Sequence, residues 1–339
     1  MTLPDAVVTL ESIAQDIGAR PGKFTGVVTV DGPEGRVLER AVGLAHRALN
    51  VPITTASRFG IASGSKTFTA VILLRLARRG LVDLDAPVRT WLGDDLPLIA
   101  PTVTLAHLLT HTSGIGDYLD EDLLEGDDDY ILSEPVHRLT TAEAFLPMLE
   151  GFPQREEPGT AFRYNNGGFV VASIIAERVT GRTYAELVEE EVAVPAGLSK
   201  TGILRLDSLP GDVAMGYLDE TGDRCNLFHL SVLAAGDGGA FTTADDVLTF
   251  WRALASGKLL DLEDVELMAR PRNDVPSEGK RYGLGMWLHP TGRAWIMEGC
   301  DAGQSFRSTY DPVTGLTATV LSNTAFGAWN IVKAVGELF

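Results

Sequence analysis

The chain has 339 residues, of which 45% are hydrophobic, and a formal net charge of −18. This length and apolar content allow one large core or two modest ones. The negative charge argues against nucleic acid and anionic membrane surfaces as partners, and two cysteines are too few for a disulfide framework or a metal site.

The first predicted element is an amphipathic helix near the N-terminus, where Leu10, Ile13 and Ile17 recur at helical spacing. This segment lacks the basic start and the continuous apolar core of a signal peptide. The chain also contains no apolar run of about 18 residues, the length needed to cross a bilayer. These features predict a cytoplasmic protein.

Short strands are predicted at both ends of the chain. Two strands, 24–30 and 36–45, are joined by a turn at residues 31–33. Four more strands at hairpin spacing are predicted at 282–288, 293–298, 305–311 and 316–322, before a final helix at 328–339. Between the two ends, apolar periodicity predicts helices at 67–80, 104–114, 167–181 and 243–257.

Strands from the two ends must pair with each other around this helical middle. We therefore predict an α/β (α+β) fold with an antiparallel sheet flanked by helices and an additional helical part. The chain is expected to form a single unit, with the α/β part at about 1–62 and 200–339 and the helical part at about 63–199.

The stretch GIASGSKT at 60–67 allows two interpretations. It differs from a phosphate-binding P-loop at one position, because Ser65 stands where the second glycine belongs, and no buried strand precedes it. It also places Ser63 three residues before Lys66, on one face of the first turn of a helix. The positive helix end and partial burial favour a neutral lysine amine, which could deprotonate the serine. The nucleophile is favoured over the phosphate site, although a helix N-cap serine followed by a solvated lysine is the simplest interpretation of this stretch taken alone.

A second polar cluster precedes the next long helix. Tyr164 and Asn166 form a Tyr-x-Asn triplet that offers a phenol for proton transfer and an amide for holding a substrate carbonyl. An acidic segment at 117–135 has nine carboxylates and no lysine or arginine, and a solvated loop is its simplest interpretation. His111 is expected to be a core or turn histidine rather than a catalytic base.

Five segments together resemble the serine β-lactamase-related hydrolases: IASGSKTFTA, LAHLLTHTSGI, the stretch from EPGTAFRYNNGG to TYAELV, VPAGLSKTGI and GAFTTADDVLTF. This family includes class C β-lactamases, D-alanyl-D-alanine carboxypeptidases, D-amino-acid amidases and aminopeptidases, and esterases of the same fold. The resemblance runs in order over nearly the whole chain. It implies the β-lactamase/transpeptidase-like fold.

The resemblance also implies roles for individual residues. Ser63 would be the acyl-forming nucleophile, Lys66 its activating partner and Tyr164 a proton relay to the leaving group and from water. Asn166 would bind the acyl side of the substrate. The backbone N–H of Ser63 and a second N–H near Asp301 would form the oxyanion hole.

This chain departs from the family at the third motif, usually Lys-Thr-Gly or His-x-Gly on the strand at the pocket edge. Depending on a one-residue gap, either Met297 or Glu298 falls where the lysine or histidine belongs. β-Lactam hydrolysis and carboxypeptidase action are therefore less expected. The acids suggest that Glu298 and Asp301 bind a cationic substrate group, such as a free amine, so that Glu298→Gln would selectively lose amine-bearing substrates.

The sequence thus predicts a serine hydrolase that forms a Ser63 acyl-enzyme and cleaves an ester, amide or short peptide, with an esterase or D-amino-acid amidase or aminopeptidase preferred. The alternatives are a β-lactamase or D,D-carboxypeptidase and, in another class, a non-catalytic ligand-binding relative. Serine, lysine and tyrosine can carry out every proton transfer, so no metal or organic cofactor is expected. The predicted partner is a small-molecule substrate, with neither nucleic acid nor membrane, and the sequence does not define an oligomeric state.

Overall fold

The computed structural model describes residues 24–123, 131–291 and 293–339. The predicted helix around Leu10 lies outside the described residues. Among the helices of the described ranges, none is both long enough and apolar enough to cross a membrane.

The strands of the described residues fall into one large sheet and two small ones. In chain order they are β1 (Gly26–Gly32), β2 (Gly35–Val42), β3 (Leu44–His46), β4 (Val51–Pro52), β5 (Phe59–Gly60), β6 (Gly202–Ile203), β7 (Ala240–Thr242), β8 (Asn273–Val275), β9 (Lys280–Tyr282), β10 (Trp287–Leu288), β11 (Trp295–Asp301), β12 (Gln304–Tyr310) and β13 (Thr317–Ser322).

The α-helices of the described residues lie mainly between β5 and β6 and after β7. They are α1 (Lys66–Arg78), α2 (Arg89–Leu92), α3 (Leu105–Leu109), α4 (Leu146–Leu149), α5 (Asn166–Thr180), α6 (Tyr184–Val188), α7 (Val194–Ala196), α8 (Ala244–Ala255), α9 (Leu262–Ala269) and α10 (Trp329–Gly336). Short 3₁₀ turns at Ala62–Ser65, Glu121–Leu123, Val136–Arg138, Ala142–Phe145, Leu206–Ser208, Asn226–Phe228 and Pro276–Glu278 and a π-helical turn at Glu189–Ala193 connect them.

The large sheet is antiparallel and joins the two ends of the chain. Its eight strands lie in the order β2-β1-β13-β12-β11-β10-β9-β8. Strand β1 pairs with β13 from Gly26 opposite Ser322 to Asp31 opposite Thr317. The predicted pairing of terminal strands around a helical middle is therefore confirmed.

Two details of the predicted strands are wrong. Strand β1 continues through Asp31 and Gly32, so the turn lies at residues 33–34, and the Asp31 carboxylate accepts a 2.9 Å hydrogen bond from Arg36 across it. The predicted strand 282–288 is broken between β9 and β10. A turn forms there because Gly285 has a φ of 70° and packs directly on Ala70 of α1, where a Cβ would collide.

The sheet separates two apolar cores. Alternate residues of β1 point to opposite faces, so Val27 contributes to the main core beneath α1 and α5, whereas Val28 and Val30 contribute to a smaller core under α10. Helix α1 is buried along most of its length. The site is positioned by this buried helix, whose N-terminus lies against β11 of the sheet.

Candidate active site

The Ser63 hydroxyl lies in a tight turn at the N-terminus of α1. The turn spans Ala62–Ser65 and leads directly into the helix at Lys66. Ala62 has a φ of +45°, a left-handed conformation that costs a residue with a Cβ about 1 kcal/mol. The Ser65 hydroxyl donates to the Ala62 carbonyl at 2.7 Å, so the residue that replaces the P-loop glycine closes the turn.

Lys66 is buried and its ammonium group contacts three oxygens. Its Nζ lies 2.7 Å from Ser63 Oγ, 2.7 Å from Asn166 Oδ1 and 2.5 Å from the carbonyl oxygen of Asp237. Burial lowers the pKa of Lys66, and the nearby carboxylates, first that of Asp237, oppose this effect. The geometry allows Lys66 to receive a proton from Ser63 directly.

Tyr164 lies on the other side of the same lysine. Its ring centroid is 4.9 Å from Lys66 Nζ, and its hydroxyl is close enough to the Ser63 side chain for that side chain to oppose the rise in its pKa. Burial, and then the charge of Glu121, raises the pKa of Tyr164 well above that of a free phenol. The group is therefore a neutral phenol that can donate a proton.

The N-terminus of α5 fixes Asn166 beside Lys66. Asn166 donates through Nδ2 to the Leu119 carbonyl at 3.0 Å and to Glu121 Oε1 at 2.9 Å, which leaves Oδ1 directed at the lysine. The Asp117 carboxylate accepts the backbone N–H groups of Asn166 and Gly167 at 2.6 and 2.8 Å. Burial nevertheless raises the pKa of Asp117 to about 6. Part of the acidic segment is thus a buried cap of α5, not a solvated loop.

Strand β11 lies against the turn of Ser63 at Gly299. A Cβ at this position would lie 2.6 Å from Ser63 N and 2.7 Å from Gly64 N, so only glycine fits. Residues 302–303 form a two-residue hairpin loop between β11 and β12, which makes Asp301 and Gln304 a hydrogen-bonded pair. By alternation, the N–H of Cys300 points away from β12. The second oxyanion donor, expected near Asp301, is therefore assigned as a prediction to the N–H of Cys300.

Glu298 is already paired with cations. Its carboxylate forms ion pairs with Lys280 on β9, at 2.5 Å, and with Arg307, which faces it across the hairpin. Lys280 and Arg307 neutralise the charge of Glu298, which argues against its expected role in binding a cationic substrate group. Met297 has the same strand parity as Gly299 and is 1% exposed in the main core, whereas Glu298 is only partly buried on the opposite face of the strand. Which of the two stands at the lysine or histidine position stays a prediction.

Two cavities meet at Ser63. A wide cleft of about 430 Å³ is lined by residues that include Asp120, Glu121, Tyr164, Trp287, Glu298 and Cys300. A narrow pocket of about 60 Å³ has mainly apolar walls, and its polar lining includes Tyr118, Asn166, Asp237 and Asp301. The structure thus brings Ser63, Lys66, Tyr164 and Asn166 together and places Asp301 and Glu298 in different cavities.

Three residues that line the site, Asp237, Tyr118 and Cys300, received no role in the sequence analysis. Asp237 lines the narrow pocket, and its carboxylate accepts a 2.6 Å hydrogen bond from the Tyr118 hydroxyl. The only sequence signal for it is an acid among the glycines of AAGDGG. Cys300 is exposed in the wide cleft, and its thiol donates to the Ala325 carbonyl at 3.3 Å.

The antiparallel sheet, the helices on its faces and the buried helix that starts at the serine make up the β-lactamase/transpeptidase-like fold. This confirms the predicted fold class. The family model Beta-lactamase matches residues 13–333. The chain belongs to this family, whose members include hydrolases such as esterases and D-aminopeptidases.

Proteins with different names align with most of this chain. It is 30% identical to Esterase EstB from Burkholderia gladioli, over 92% of this chain and 89% of that protein. It is 26% identical to Penicillin-binding protein 4* from Bacillus subtilis (strain 168), over 82% of this chain and 62% of that protein. A solved penicillin binding protein from Bacillus halodurans superposes with a TM-score of 0.88 at 34% identity, covering 97% of this chain and 100% of the other.

Proposed function

We propose that the protein is a serine hydrolase that cleaves an ester or amide through an acyl-enzyme at Ser63. The observation that carries this proposal is the 2.7 Å contact between Ser63 Oγ and the Nζ of a buried Lys66 whose pKa is lowered. A lysine in this state can be neutral and accept the serine proton at the moment of attack.

The reaction would proceed in two steps, acylation of Ser63 and hydrolysis of the acyl-enzyme. Ser63 Oγ attacks the carbonyl carbon and its proton passes to Lys66, while the developing oxyanion is held by the N–H groups of Ser63 and Cys300. The bond to the leaving group breaks as the leaving atom takes a proton from the Tyr164 hydroxyl, which Lys66 reprotonates. Water then attacks the acyl carbon, and its proton passes through Lys66 and Tyr164 to Ser63 Oγ. The bond between Ser63 Oγ and the acyl carbon breaks, which releases the acid.

We further propose that the acyl part of the substrate carries an amine. The acidic groups of the narrow pocket, Asp237 and Asp301, support this, since both lie on the wall of the pocket that opens to Ser63. Glu298 is not part of this argument, because its charge is balanced by Lys280 and Arg307. The pocket is small, so a small amino-acyl group fits it best. A cytoplasmic location remains a prediction.

A first experiment tests the chemistry. The protein is incubated with a fluorophosphonate, and turnover is measured on short-chain p-nitrophenyl esters, D- and L-amino-acid amides and nitrocefin. Labelling at Ser63 that disappears in Ser63→Ala, with turnover of esters or amides, supports the hydrolase. Turnover of nitrocefin alone favours a β-lactamase. Neither labelling nor turnover favours a non-catalytic binding relative.

A second experiment tests the amine. Alanine p-nitrophenyl ester and p-nitrophenyl propionate differ only by the amino group. Asp301→Asn should lower kcat/KM for the alanine ester about tenfold or more and leave the propionate nearly unchanged. Glu298→Gln is the control, since Glu298 lines the wide cleft and not the narrow pocket proposed for the amine, and it should change kcat/KM for both esters by similar factors. Equal losses on both esters in Asp301→Asn contradict the amine proposal but not the hydrolase.

A further inference from the structure

His111 is a fully buried histidine beside Tyr164. It follows α3 and has a φ of +55°, a left-handed conformation that is uncommon for residues other than glycine. Its side chain is 0% exposed. A buried imidazole on a strained backbone, next to the phenol of Tyr164, needs a physical explanation beyond packing.

The backbone on both sides of Tyr164 is bonded to this one residue. The N–H of Arg163 donates to the His111 carbonyl at 2.8 Å, and the N–H of Asn165 donates to His111 Nδ1 at 3.0 Å. The imidazole ring also packs against the Tyr164 ring, with centroids 4.3 Å apart and planes 31° from parallel. Three contacts from a single side chain and its carbonyl therefore fix the position and tilt of the phenol.

The other contacts of the imidazole explain why it serves this purpose and not proton transfer. Because Nδ1 accepts a hydrogen bond, the proton of the neutral ring is on Nε2. Nε2 has no hydrogen-bond partner within the part of the chain that the structure describes. The rings of Phe162, Phe169 and Tyr282 surround the imidazole at centroid distances of 5.6, 5.0 and 4.8 Å. A charged imidazolium would be buried among these rings without a counter-ion and would lose the bond from Asn165.

We propose that His111 is the positioning residue for Tyr164, aligning its hydroxyl with the leaving group during acyl transfer. This inference rests on the proposed hydrolase function, in which Tyr164 donates that proton. The left-handed backbone of His111 is what directs both its carbonyl and its ring at the segment 163–165. A small displacement of the phenol would weaken proton donation while leaving the nucleophile turn intact.

Substrates with different leaving groups test the proposal. An ethyl ester needs a proton on its leaving oxygen, whereas the p-nitrophenyl ester of the same acid has a leaving group that departs as an anion. In His111→Phe, which keeps an aromatic ring but loses the acceptor for Asn165, kcat/KM for the ethyl ester should fall about 100-fold. For the p-nitrophenyl ester, kcat/KM should fall less than about fivefold. His111→Asn, whose amide oxygen can replace Nδ1, should recover part of the loss.

Two controls separate positioning from a general loss of folding. First, all rates are expressed per Ser63 labelled by a fluorophosphonate. Second, the buried core variant Trp251→Phe, which loses a 2.9 Å hydrogen bond to Ser308, should reduce kcat/KM for both esters by the same factor. In a double-mutant cycle, His111→Phe should add little to Tyr164→Phe.

The proposal would be overturned if His111→Phe left the ratio of kcat/KM for the two esters at its wild-type value. It would also be overturned if the losses caused by His111→Phe and Tyr164→Phe multiplied in the double variant. Wild-type protein that neither labels at Ser63 nor cleaves either ester would instead contradict the hydrolase function itself.

Discussion

The approach of β11 to the nucleophile predicts a large effect for Gly299→Ala. The added Cβ would lie 2.6 Å from Ser63 N and 2.7 Å from Gly64 N, both backbone atoms that no side-chain rotation can move. An ordinary contact of this kind is 3.4–4 Å, so strand and turn must separate by roughly 1 Å. A displacement of about 1 Å at reacting groups costs about 100-fold, and the loss of one oxyanion donor costs about 3–4 kcal/mol. We expect kcat/KM to fall by 100-fold or more.

The assay is hydrolysis of a p-nitrophenyl ester together with the rate of fluorophosphonate labelling at Ser63. Both depend on the oxyanion hole, so both should fall together. The matched control is Gly202→Ala on β6, where a Cβ meets nothing within 4 Å and where activity should stay within about twofold. A Gly299→Ala enzyme with wild-type rates would refute the assignment of the oxyanion hole to this strand.

Four further predictions follow from charges at the site. In Lys66→Arg the guanidinium cannot release its proton, so kcat/KM should fall about 1000-fold or more. Wild-type kcat/KM should rise with pH to an inflection below 10.5, because the lowered pKa of Lys66 must be exceeded before the amine is neutral; an enzyme whose rate falls over this range contradicts the base role. Glu298→Gln removes an ion-pair partner of Arg307 and leaves Lys280, within the described part of the chain, paired with Glu278 alone. It should lower the free energy of unfolding by about 3 kcal/mol in urea titrations, and an unchanged midpoint would show that the ion pairs of Glu298 contribute nothing. The pKa of Asp117 is raised from 3.8 to about 6, so the folded state binds the carboxyl proton of Asp117 more tightly than the unfolded state. The protonated carboxyl therefore stabilises the folded state fully below about pH 4, and this stabilisation is lost as the pH rises through 6. The wild-type free energy of unfolding should therefore fall by about 3 kcal/mol relative to Asp117→Asn across this range, and parallel curves would exclude the shift.

The residues that sequence could predict lie within short windows. Ser63 and Lys66 are three residues apart at a helix start, and Tyr164 and Asn166 immediately precede another helix. Local periodicity and capping therefore determine their geometry once the helices are located. The resemblance to a family then supplied what spacing alone could not, namely which tyrosine belongs to the site.

The residues that sequence could not predict depend on strand register and on loops that meet only in the folded chain. Glu298 faces Arg307 because the loop between β11 and β12 has two residues, and a shift of one residue would pair it differently. Lys280 comes from β9, two strands away in the sheet. Asp237 reaches the site through a glycine-containing loop whose path no periodic pattern indicates.

The pairing of β1 with β13 has a consequence for synthesis of the protein. The large sheet pairs β1 with a partner strand, β13, that is synthesised long after it. Contacts of such long sequence separation are associated with slow folding. The turn of Ser63 meets Gly299 only after β11 has emerged, so until then a nascent chain carries Ser63 without the strand that completes the proposed site. We expect the enzyme to gain activity only late in synthesis, and early release of the chain to yield an inactive, aggregation-prone intermediate.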